Sequence, residues 1–299
     1  MSGVPATSGM LPAMVMFKMR DHEPFTDPVV VVAFDGWVDA GSAATNATKE
    51  LAGAGEVVVE FDGDDLFDYR SRRPTLEIQN GRPERLTWPT LTMRGRRIGD
   101  RDLLILAGAE PDFRWHQFAA DLVDLNRRLG VSQWISLGAI PAAVPHTRPV
   151  PILGTASRPD LLRGGVQPGP QGLLRVPAAC ISIVDVAVAK TGIPTVGYFA
   201  QIPHYMSGEY PGASVELLRI LGLHLEIEPP LGLLPEEAVA LRKRLDTATA
   251  LDENTRNYVE RLEGMADESR LPAGDDLIAD IERFLRDQGA DLGGGGRPN

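Results

Sequence analysis

The stretch Val29–Leu51, VVVVAFDGWVDAGSAATNATKEL, decides the fold of this chain. Its unbroken apolar opening predicts a strand buried on both faces, as in a parallel sheet. The alanine-rich residues from Ala40 to Leu51 predict a helix whose small side chains let it lie close to that sheet. Gly36 and Gly41 mark the turn between the two elements. A buried strand, a tight turn and a helix form the unit from which layered α/β domains are built.

This turn has the glycine spacing of a phosphate-binding loop but lacks the chemistry of one. In the pattern G-x-x-x-x-G-K-[ST] the lysine meets the β- and γ-phosphates, and Ser42 stands at that place here. Asp35 and Asp39 would also put negative charge beside a bound anion. We therefore interpret Gly36 and Gly41 as turn residues and predict that Asp39 or Ser42 caps the helix. No bound nucleotide and no other cofactor is expected.

The rest of the chain alternates between predicted strands and helices. Further apolar runs predict strands at Glu56–Phe61, Leu103–Gly108, Trp134–Gly138 and Thr195–Ala200. Trp115–Leu129 has apolar residues on one face and predicts a helix that ends at Gly130. Ala178–Ala189 is apolar almost all round, which predicts a helix buried deep between layers. An Asn-Gly turn between Leu76 and Ile98 predicts hairpins and some antiparallel pairing.

These elements predict the fold class α/β, namely a three-layer α/β/α sandwich with a mixed, mostly parallel sheet and a C-terminal helical appendage. We expect a flexible N-terminus over residues 1–11, a core domain over 12–232, a helical region over 233–288 and a disordered tail over 289–299. The helical region contains the predicted helices Pro235–Ala250, Tyr258–Met265 and Asp275–Gln288. The first and the third carry more apolar surface than a short helix needs, which predicts a homo-oligomer.

The charge balance excludes several functions. A formal net charge of −11 argues against nucleic acid and anionic membranes as partners, because both require clustered lysine and arginine. No apolar run approaches the length of a membrane span, and the N-terminus lacks the basic start of a signal peptide.

Cys180, the single cysteine, lies in an apolar run and is expected to be a small buried hydrophobe in a reducing compartment. We expect a cytoplasmic protein.

Residues that follow the predicted strands are candidates for one rim pocket, because ligands of parallel sheets bind beyond the carboxyl ends of the strands. In chain order they are Asp35, Asp39, Glu110, Arg114, His146, Arg148, His204 and Tyr205. A histidine could act as a base and an arginine could bind an oxyanion. The alternative is structural, since proline-rich loops need polar side chains to satisfy their own backbone groups. The catalytic residues stay unassigned.

The sequence does not predict a metal site. The histidines show neither H-x-x-x-H nor HEXXH spacing, and cysteines that could bind zinc are missing. Asp112 is well placed to cap the helix that follows it.

Five segments together resemble a known family. They are AFDGWVDAGSAA, FDGDDLFDYRSRRP, AGAEPDFRW, GAIPAAVPHTRP and QIPHYMSGEYPGAS, in this order over Val29–Leu221. The combination resembles the actinobacterial branch of the proteasome assembly chaperone family, of the second-subunit type. The resemblance implies a three-layer α/β/α core similar to the purine nucleoside phosphorylase fold. It also implies a homo-oligomer with a cytoplasmic protein-binding role and proteasome subunits as candidate partners.

Two departures limit what the resemblance implies. Archaeal relatives that dock on the proteasome use a C-terminal hydrophobic–tyrosine–any-residue tail, whereas this sequence ends Arg297-Pro298-Asn299, so docking by that route is not expected. Members of this bacterial type have also been labelled ATP-grasp or carboxylate–amine ligase proteins, which the missing phosphate loop does not support. We predict the protein-binding role. The alternative is an enzyme of the phosphorylase or hydrolase type that acts on a small anionic or nucleoside-like substrate at the carboxyl edge of the sheet.

Overall fold

The computed structural model of the protein describes residues 15–166, 168–170 and 172–267. Within these residues the strands are β1 (Phe17–Met19), β2 (Val29–Asp35), β3 (Glu56–Phe61), β4 (Thr75–Gln79), β5 (Arg82–Thr87), β6 (Leu91–Ile98), β7 (Arg101–Ala109), β8 (Gln133–Ala142), β9 (Ile152–Ala156) and β10 (Thr195–Pro203). The α-helices are α1 (Ala43–Ala52), α2 (Gly63–Leu66), α3 (Trp115–Leu129), α4 (Cys180–Ala189), α5 (Pro211–Leu225), α6 (Leu234–Leu251) and α7 (Glu253–Asp267).

Eight of the strands form one mixed sheet in the order β1-β3-β6-β7-β2-β8-β10-β9. The central strands β7, β2, β8 and β10 are parallel to one another. Antiparallel strands flank this centre on both sides, with β6, β3 and β1 on one side and β9 on the other. Helices cover both faces, so the predicted three-layer α/β fold class is confirmed.

The opening stretch folds as its sequence predicts. All residues of β2 except Asp35 are buried, and alternate side chains enter opposite layers. Val30, Val32 and Phe34 pack with α3 and α4 in one core, whereas Val29 and Val31 pack with α1 and α5 in the other. Ala43, Ala44 and Ala47 of α1 are fully buried, because only such small side chains allow a helix this close to the sheet.

Several other elements differ from the prediction in instructive ways. Glu56–Phe61 is a strand as predicted, but it pairs antiparallel to both of its neighbours, β1 and β6. Strand β6 turns back at Gly99 and Asp100 and is also antiparallel to β7. The predicted hairpin forms around Asn80 and Gly81, yet β4 and β5 make a separate two-stranded sheet. Helix α5 is not predicted by the sequence patterns, because the proline-containing segment that precedes it resembles a loop.

The apolar segment predicted to lie deep between layers is instead a surface helix. The helix α4 buries Ile181, Val184 and Val188 against the core. Val186 on its outer side is 56% exposed, so the prediction of full burial is wrong. Apolar residues all round a helix therefore do not settle how deeply it lies, because an apolar outer face can remain uncovered within one subunit.

The described part of the C-terminal region is helical, as predicted. Helix α6 covers the predicted Pro235–Ala250, and its Leu234, Leu241 and Leu245 pack on the core that contains α5. Helix α7 covers the predicted Tyr258–Met265. The predicted helix Asp275–Gln288, the N-terminal segment 1–11 and the tail 289–299 lie outside the described residues. The domain boundary at residues 232 and 233 stays a prediction.

Candidate functional site

The turn after β2 holds a carboxylate of the protein itself where a phosphate would sit. The Asp39 carboxylate accepts hydrogen bonds from the backbone N–H groups of Ala44 (2.7 Å) and Thr45 (3.2 Å), in the first turn of α1. The Thr45 hydroxyl donates to the same carboxylate. Asp39 therefore caps the helix, and Ser42 makes no side-chain cap. The amides that could cradle an external anion are already bonded to an internal one.

The environment of Asp39 also limits how easily it ionises. Burial raises the pKa of Asp39 to about 6, although the hydrogen bonds from Thr45 and Ala44 act in the opposite direction. The desolvation of the carboxylate thus outweighs its capping bonds. A buried carboxylate that is bonded to the helix N-terminus is typical of a structural cap and not of a binding site for a charged ligand.

The first group of rim residues lies where β2 and β7 end. Arg72 Nη1 lies 2.6 Å from Asp35 Oδ1, and Arg72 Nε lies 3.5 Å from Asp112 Oδ1. The same Asp35 oxygen accepts the backbone N–H of Glu110 at 3.1 Å. This group ties the loop after α2 to the ends of two parallel strands.

Glu110 is the buried member of this group and joins three segments. Its Oε1 accepts the backbone N–H of Cys180 at 2.7 Å, at the start of α4, and its Oε2 accepts that of Trp37 at 3.4 Å. A Cβ atom at Gly36 would lie 2.7 Å from Glu110 Oε2, and Gly36 has φ +135°, so glycine is required at this position. Both carboxylate oxygens of Glu110 thus serve the fold.

Arg114 and Asp112 complete this side of the rim. Arg114 does not bond to this group, and its exposed side chain forms an ion pair with the partly buried Asp65 of α2 at 3.2 Å. The prediction that Asp112 caps the following helix is wrong, because its carboxylate accepts the backbone N–H of Asp68 at 2.8 Å. Helix α3 instead begins after Arg114, which has the left-handed φ of 55° and gives no side-chain cap.

The second group of rim residues lies beyond β8 and β10 and centres on two histidines. The Tyr205 hydroxyl accepts the backbone N–H of His146 and bonds its Nδ1, both at 2.8 Å. His204 Nδ1 donates to the carbonyl of Ala142 at 3.0 Å, since a carbonyl can only accept, and its Nε2 therefore accepts from the Tyr258 hydroxyl at 2.9 Å. Tyr258 belongs to α7, so His204 links that helix to the rim.

Arg148 and His146 attach the C-terminal helices in the same way. Arg148 forms a bidentate ion pair with Asp267 at 2.6 and 2.8 Å and lies 3.3 Å from Glu263, both in α7. Arg242 of α6 donates to the carbonyl of His146 at 2.7 Å. Helices α6 and α7 thus lie against the carboxyl edge of the sheet through side chains of the rim itself.

The electrostatics of this second group are those of a buried contact. His146 Nε2 lies 3.3 Å from Asp246 Oδ1 without the alignment of a hydrogen bond. Burial, helped by the neighbouring Arg242, lowers the pKa of His146, so the ring is neutral at pH 7. Burial also raises the pKa of Tyr205 to about 12. Neutral groups that bond one another are the expected state of such a contact.

The structure therefore separates the eight candidate residues. Asp35 and Glu110 form one group, and His146, Arg148, His204 and Tyr205 form another, while Asp39 lies in the opening turn and Arg114 on the surface. No hydrogen bond or ion pair among the described residues joins the two groups. The sequence reasoning missed the partners of these residues, which are Arg72, Arg242, Asp246, Tyr258, Glu263 and Asp267. The acidic character of the C-terminal region was the only sequence signal for these partners, because most of them lie far in sequence from the rim residues that they bond.

Two general features of the described chain bear on its partners. No cluster of three or more His, Cys, Asp or Glu side chains among the described residues could hold a metal ion. None of the described helices combines the length and hydropathy that crossing a membrane requires.

Comparisons of the sequence and of the structure with known proteins point to the same family. The sequence model of the PAC2 family matches residues 33–249. A solved PAC2 family protein from Streptomyces avermitilis is 37% identical with a TM-score of 0.70, over 78% of this chain and 100% of that one. A proteasome-assembly chaperone homologue from Mycobacterium tuberculosis is 34% identical with a TM-score of 0.70, over 77% of this chain and 99% of that one.

More distant comparisons agree in fold. A Corynebacterium glutamicum protein of unknown function is 30% identical with a TM-score of 0.79, over 84% of this chain and 97% of that one. The archaeal proteasome activator PbaB of Pyrococcus furiosus is 14% identical with a TM-score of 0.62, over 78% of this chain and 97% of that one, which shows a shared fold. No curated protein shows significant similarity to the chain.

Proposed function

The chain belongs to the PAC2 family, and from that premise we propose that it is a proteasome-assembly-chaperone-like protein that acts by binding other proteins. The family resemblance in the sequence is thereby confirmed, whereas the binding target is our proposal. The 34% identical Mycobacterium tuberculosis homologue, described as a proteasome-assembly chaperone homologue, makes proteasome subunits the first candidate partners.

One observation carries this proposal: the rim side chains are bonded to the chain's own helices. In an α/β enzyme the carboxyl edge of the sheet receives the substrate. Here His204 bonds Tyr258, and Arg148 pairs with Asp267 and Glu263, so α7 lies against that edge. Glu110 is likewise bonded through both oxygens. Exposed surfaces of the molecule, rather than the rim side chains themselves, are then the parts that can meet a partner.

We propose self-association as a further part of this role. Leu233, Val239 and Leu251 in and beside α6 are between 70% and 84% exposed, and Val186 on α4 is 56% exposed. Apolar side chains so exposed favour association, because burying them removes their surface from water. A cytoplasmic location fits the same role, since the single cysteine is buried and its pKa is raised by burial, as expected of an unreactive thiol.

Direct binding to purified proteasome subunits tests the proposal. The tagged full chain is mixed separately with isolated α subunits, isolated β subunits and assembled core particle, and complexes are measured by size-exclusion chromatography with light scattering. We expect a complex with free subunits of one class.

The matched control is Arg114→Ala, which removes an exposed rim arginine whose ion pair is with Asp65. Under the proposed role this variant binds subunits as the wild type does. The enzyme alternative gives the opposite pattern, namely no subunit complex and a small anionic or nucleoside-like molecule that copurifies with the wild type and is lost from Arg114→Ala. That result would overturn the proposal.

A further inference from the structure

The hairpin formed by β4 and β5, residues 75–87, stands apart from the body of the protein, and we call it the β-arm. All residues of its two strands are exposed, and the strands pair only with each other among the described residues. An isolated two-stranded hairpin is only marginally stable in water. The β-arm therefore needs a covering surface that its own subunit does not supply.

One face of the β-arm is apolar. Leu76 pairs with Leu86, and Ile78 pairs with Pro83, so these side chains share a face that Trp88 extends. Ile78 is 62% exposed, and Leu76, Leu86 and Trp88 are each about half exposed. Together they present a continuous apolar surface on the order of a few hundred Å², the size that marks interaction sites on soluble proteins.

The base of the β-arm is held in a fixed direction. The Trp88 ring meets the Tyr69 ring edge-on, with centroids 4.7 Å apart, and the Tyr69 hydroxyl donates to Asp64 at 2.9 Å. Arg72, at the entry to the arm, pairs with Asp35 at the carboxyl end of β2. The arm thus projects from the carboxyl edge of the sheet as an oriented element.

The opposite edge of the same molecule carries an apolar groove with acidic margins, which we call the basal groove. It includes Arg101, at the amino end of β7, whereas Arg72 at the entry to the arm is paired with Asp35 at the carboxyl end of β2. Strands β2 and β7 are parallel neighbours. The groove encloses about 1380 Å³. Its apolar lining includes Ile98, Val215, Leu223, Leu225, Ile227 and Leu231.

The charges of the β-arm and the basal groove are complementary. Residues 70–88 contain five arginines against two glutamates, in a chain of net charge −11. The groove is lined by Asp100, Glu226 and Glu228, and of its two arginines Arg219 is paired with Glu216 at 2.6 Å. Within the described chain no ion pair engages these three acids, nor the arm residues Arg70, Arg73 and Arg82.

We propose that the β-arm of one copy docks with its apolar face into the basal groove of a second copy. This inference rests on the self-association in the proposed function and names the surfaces that make it. Two arms in contact would bring two segments of the same net positive charge close together, which disfavours a symmetric arm-to-arm contact. Because arm and groove lie at opposite edges, the contact is head-to-tail, and it closes into a ring when the rotation between copies allows.

The first test measures mass by light scattering for two matched double variants. Ile78→Glu/Leu86→Glu places two charges on the apolar face, and Gln79→Glu/Thr87→Glu places the same charges on the polar face of the same hairpin. We expect the first variant to fall to the monomer mass and the second to keep the wild-type mass. All four positions are exposed, so both variants should keep the wild-type circular dichroism spectrum.

The second test identifies the surface that receives the arm. Ile78→Cys and Leu223→Cys are each treated with a bifunctional maleimide, alone and as an equimolar mixture, and Cys180 is buried and does not interfere. Leu223 lies in the groove and is 50% exposed. We expect a cross-linked dimer only in the mixture. A dimer from Ile78→Cys alone would show arm-to-arm contact, and no dimer in any sample would show that the two surfaces do not meet, so either overturns the inference.

These outcomes separate the inference from the proposed function. A wild-type protein that is monomeric at micromolar concentration would overturn the self-association and with it the β-arm contact. An oligomer that survives Ile78→Glu/Leu86→Glu would overturn only the β-arm contact. Binding to proteasome subunits is a separate measurement and can hold in either case.

Discussion

The two groups of rim residues differ in what they hold together. The Glu110 group, with Asp35 and Arg72, joins loops that lie beside one another at the ends of β2 and β7 and the start of α4. The group of His146, Arg148 and His204 attaches α6 and α7, and Thr147 bonds Glu263 from 116 residues away in sequence. Similar polar side chains at one edge of a sheet thus have two structural roles: one group joins the loops at the strand ends, and the other joins the sheet edge to the helices α6 and α7.

The comparison predicts that damage to the first group destabilises the whole core. Glu110→Ala removes the buried carboxylate that accepts hydrogen bonds from the backbone N–H groups of Cys180 and Trp37. We expect the free energy of unfolding to fall by about 3 kcal/mol, since each such bond to a charged acceptor contributes about 1.5–3 kcal/mol. Chemical denaturation measures the change.

Glu110→Gln is the matched control, because its amide oxygen can still accept one of the two bonds. We expect a loss about half as large. Equal stability of Glu110→Ala and the wild type would show that the first group does not hold the core together.

Two buried side chains, Asp185 and His146, should respond to pH in opposite directions. Asp185 lies on α4 and accepts hydrogen bonds from the side chains of Trp134 and Ser136 of β8. Burial raises its pKa from the ordinary 3.8 to about 6. The unfolded chain therefore ionises first as the pH rises, and this residue makes stability fall between pH 4 and pH 6, by at most about 3 kcal/mol. His146 has a lowered pKa, so its contribution is lost as the pH falls below about 6.5.

Stability measured from pH 4 to pH 7 in wild type and Asp185→Asn separates the two trends. The difference between the two curves should be largest near pH 7 and shrink toward pH 4. Asn keeps an acceptor for Trp134 and Ser136 without a charge to desolvate. A constant difference across this range would mean that Asp185 titrates as it does in the unfolded chain. Glu260→Gln, at an exposed acid on α7, serves as the control.

Damage to the second group should instead release one element. His204→Ala removes the hydrogen bonds to Tyr258 and Ala142, worth about 1–2 kcal/mol together. We expect amide hydrogen exchange in α7 to become roughly five to thirty times faster, with little change in α3. His116→Ala, an exposed histidine on α3, is the control. Faster exchange throughout the protein would show that the C-terminal helices and the core unfold together.

The smallest expected effect concerns the turn between the two groups. The amides at the start of α1 are bonded to Asp39, so Mg-ATP should give no heat of binding in the micromolar range in a calorimetric titration. Asp39→Asn, which keeps an acceptor and removes the charge, tests whether charge alone excludes the nucleotide. Tight binding by the wild type that Gly41→Val abolishes would contradict our interpretation of this turn.

Local sequence patterns were sufficient for the centre of the fold. The apolar run of β2, the alanines of α1 and the apolar stripe of α3 predict their elements because each pattern reports burial of that element's own face. The missing lysine after Gly41 excluded a phosphate loop in the same local way. The five family segments, which cover these elements, predicted the PAC2 family.

The candidate site could be predicted only in part, because strand ends identify which residues share an edge but not what they bond. Asp35 and Glu110 do lie together, since β2 and β7 are neighbours. The partners of His146 and Arg148 come from α6 and α7, and no pattern within either segment specifies that contact. The exposed face of α4 could not be predicted either, because the apolar character of a residue does not show which surface, if any, packs against it.

The sequence by itself thus determined the central strands, the helices α1, α3 and α4, the fold class and the absence of a phosphate-loop motif, because these depend on residues close together in the chain. Only the tertiary structure decided that Asp39 fills the anion position of the turn and that the rim attaches the C-terminal helices. It alone also showed that the β-arm stands clear of the sheet. These features depend on distances between residues far apart in sequence, which the packing of the whole chain sets.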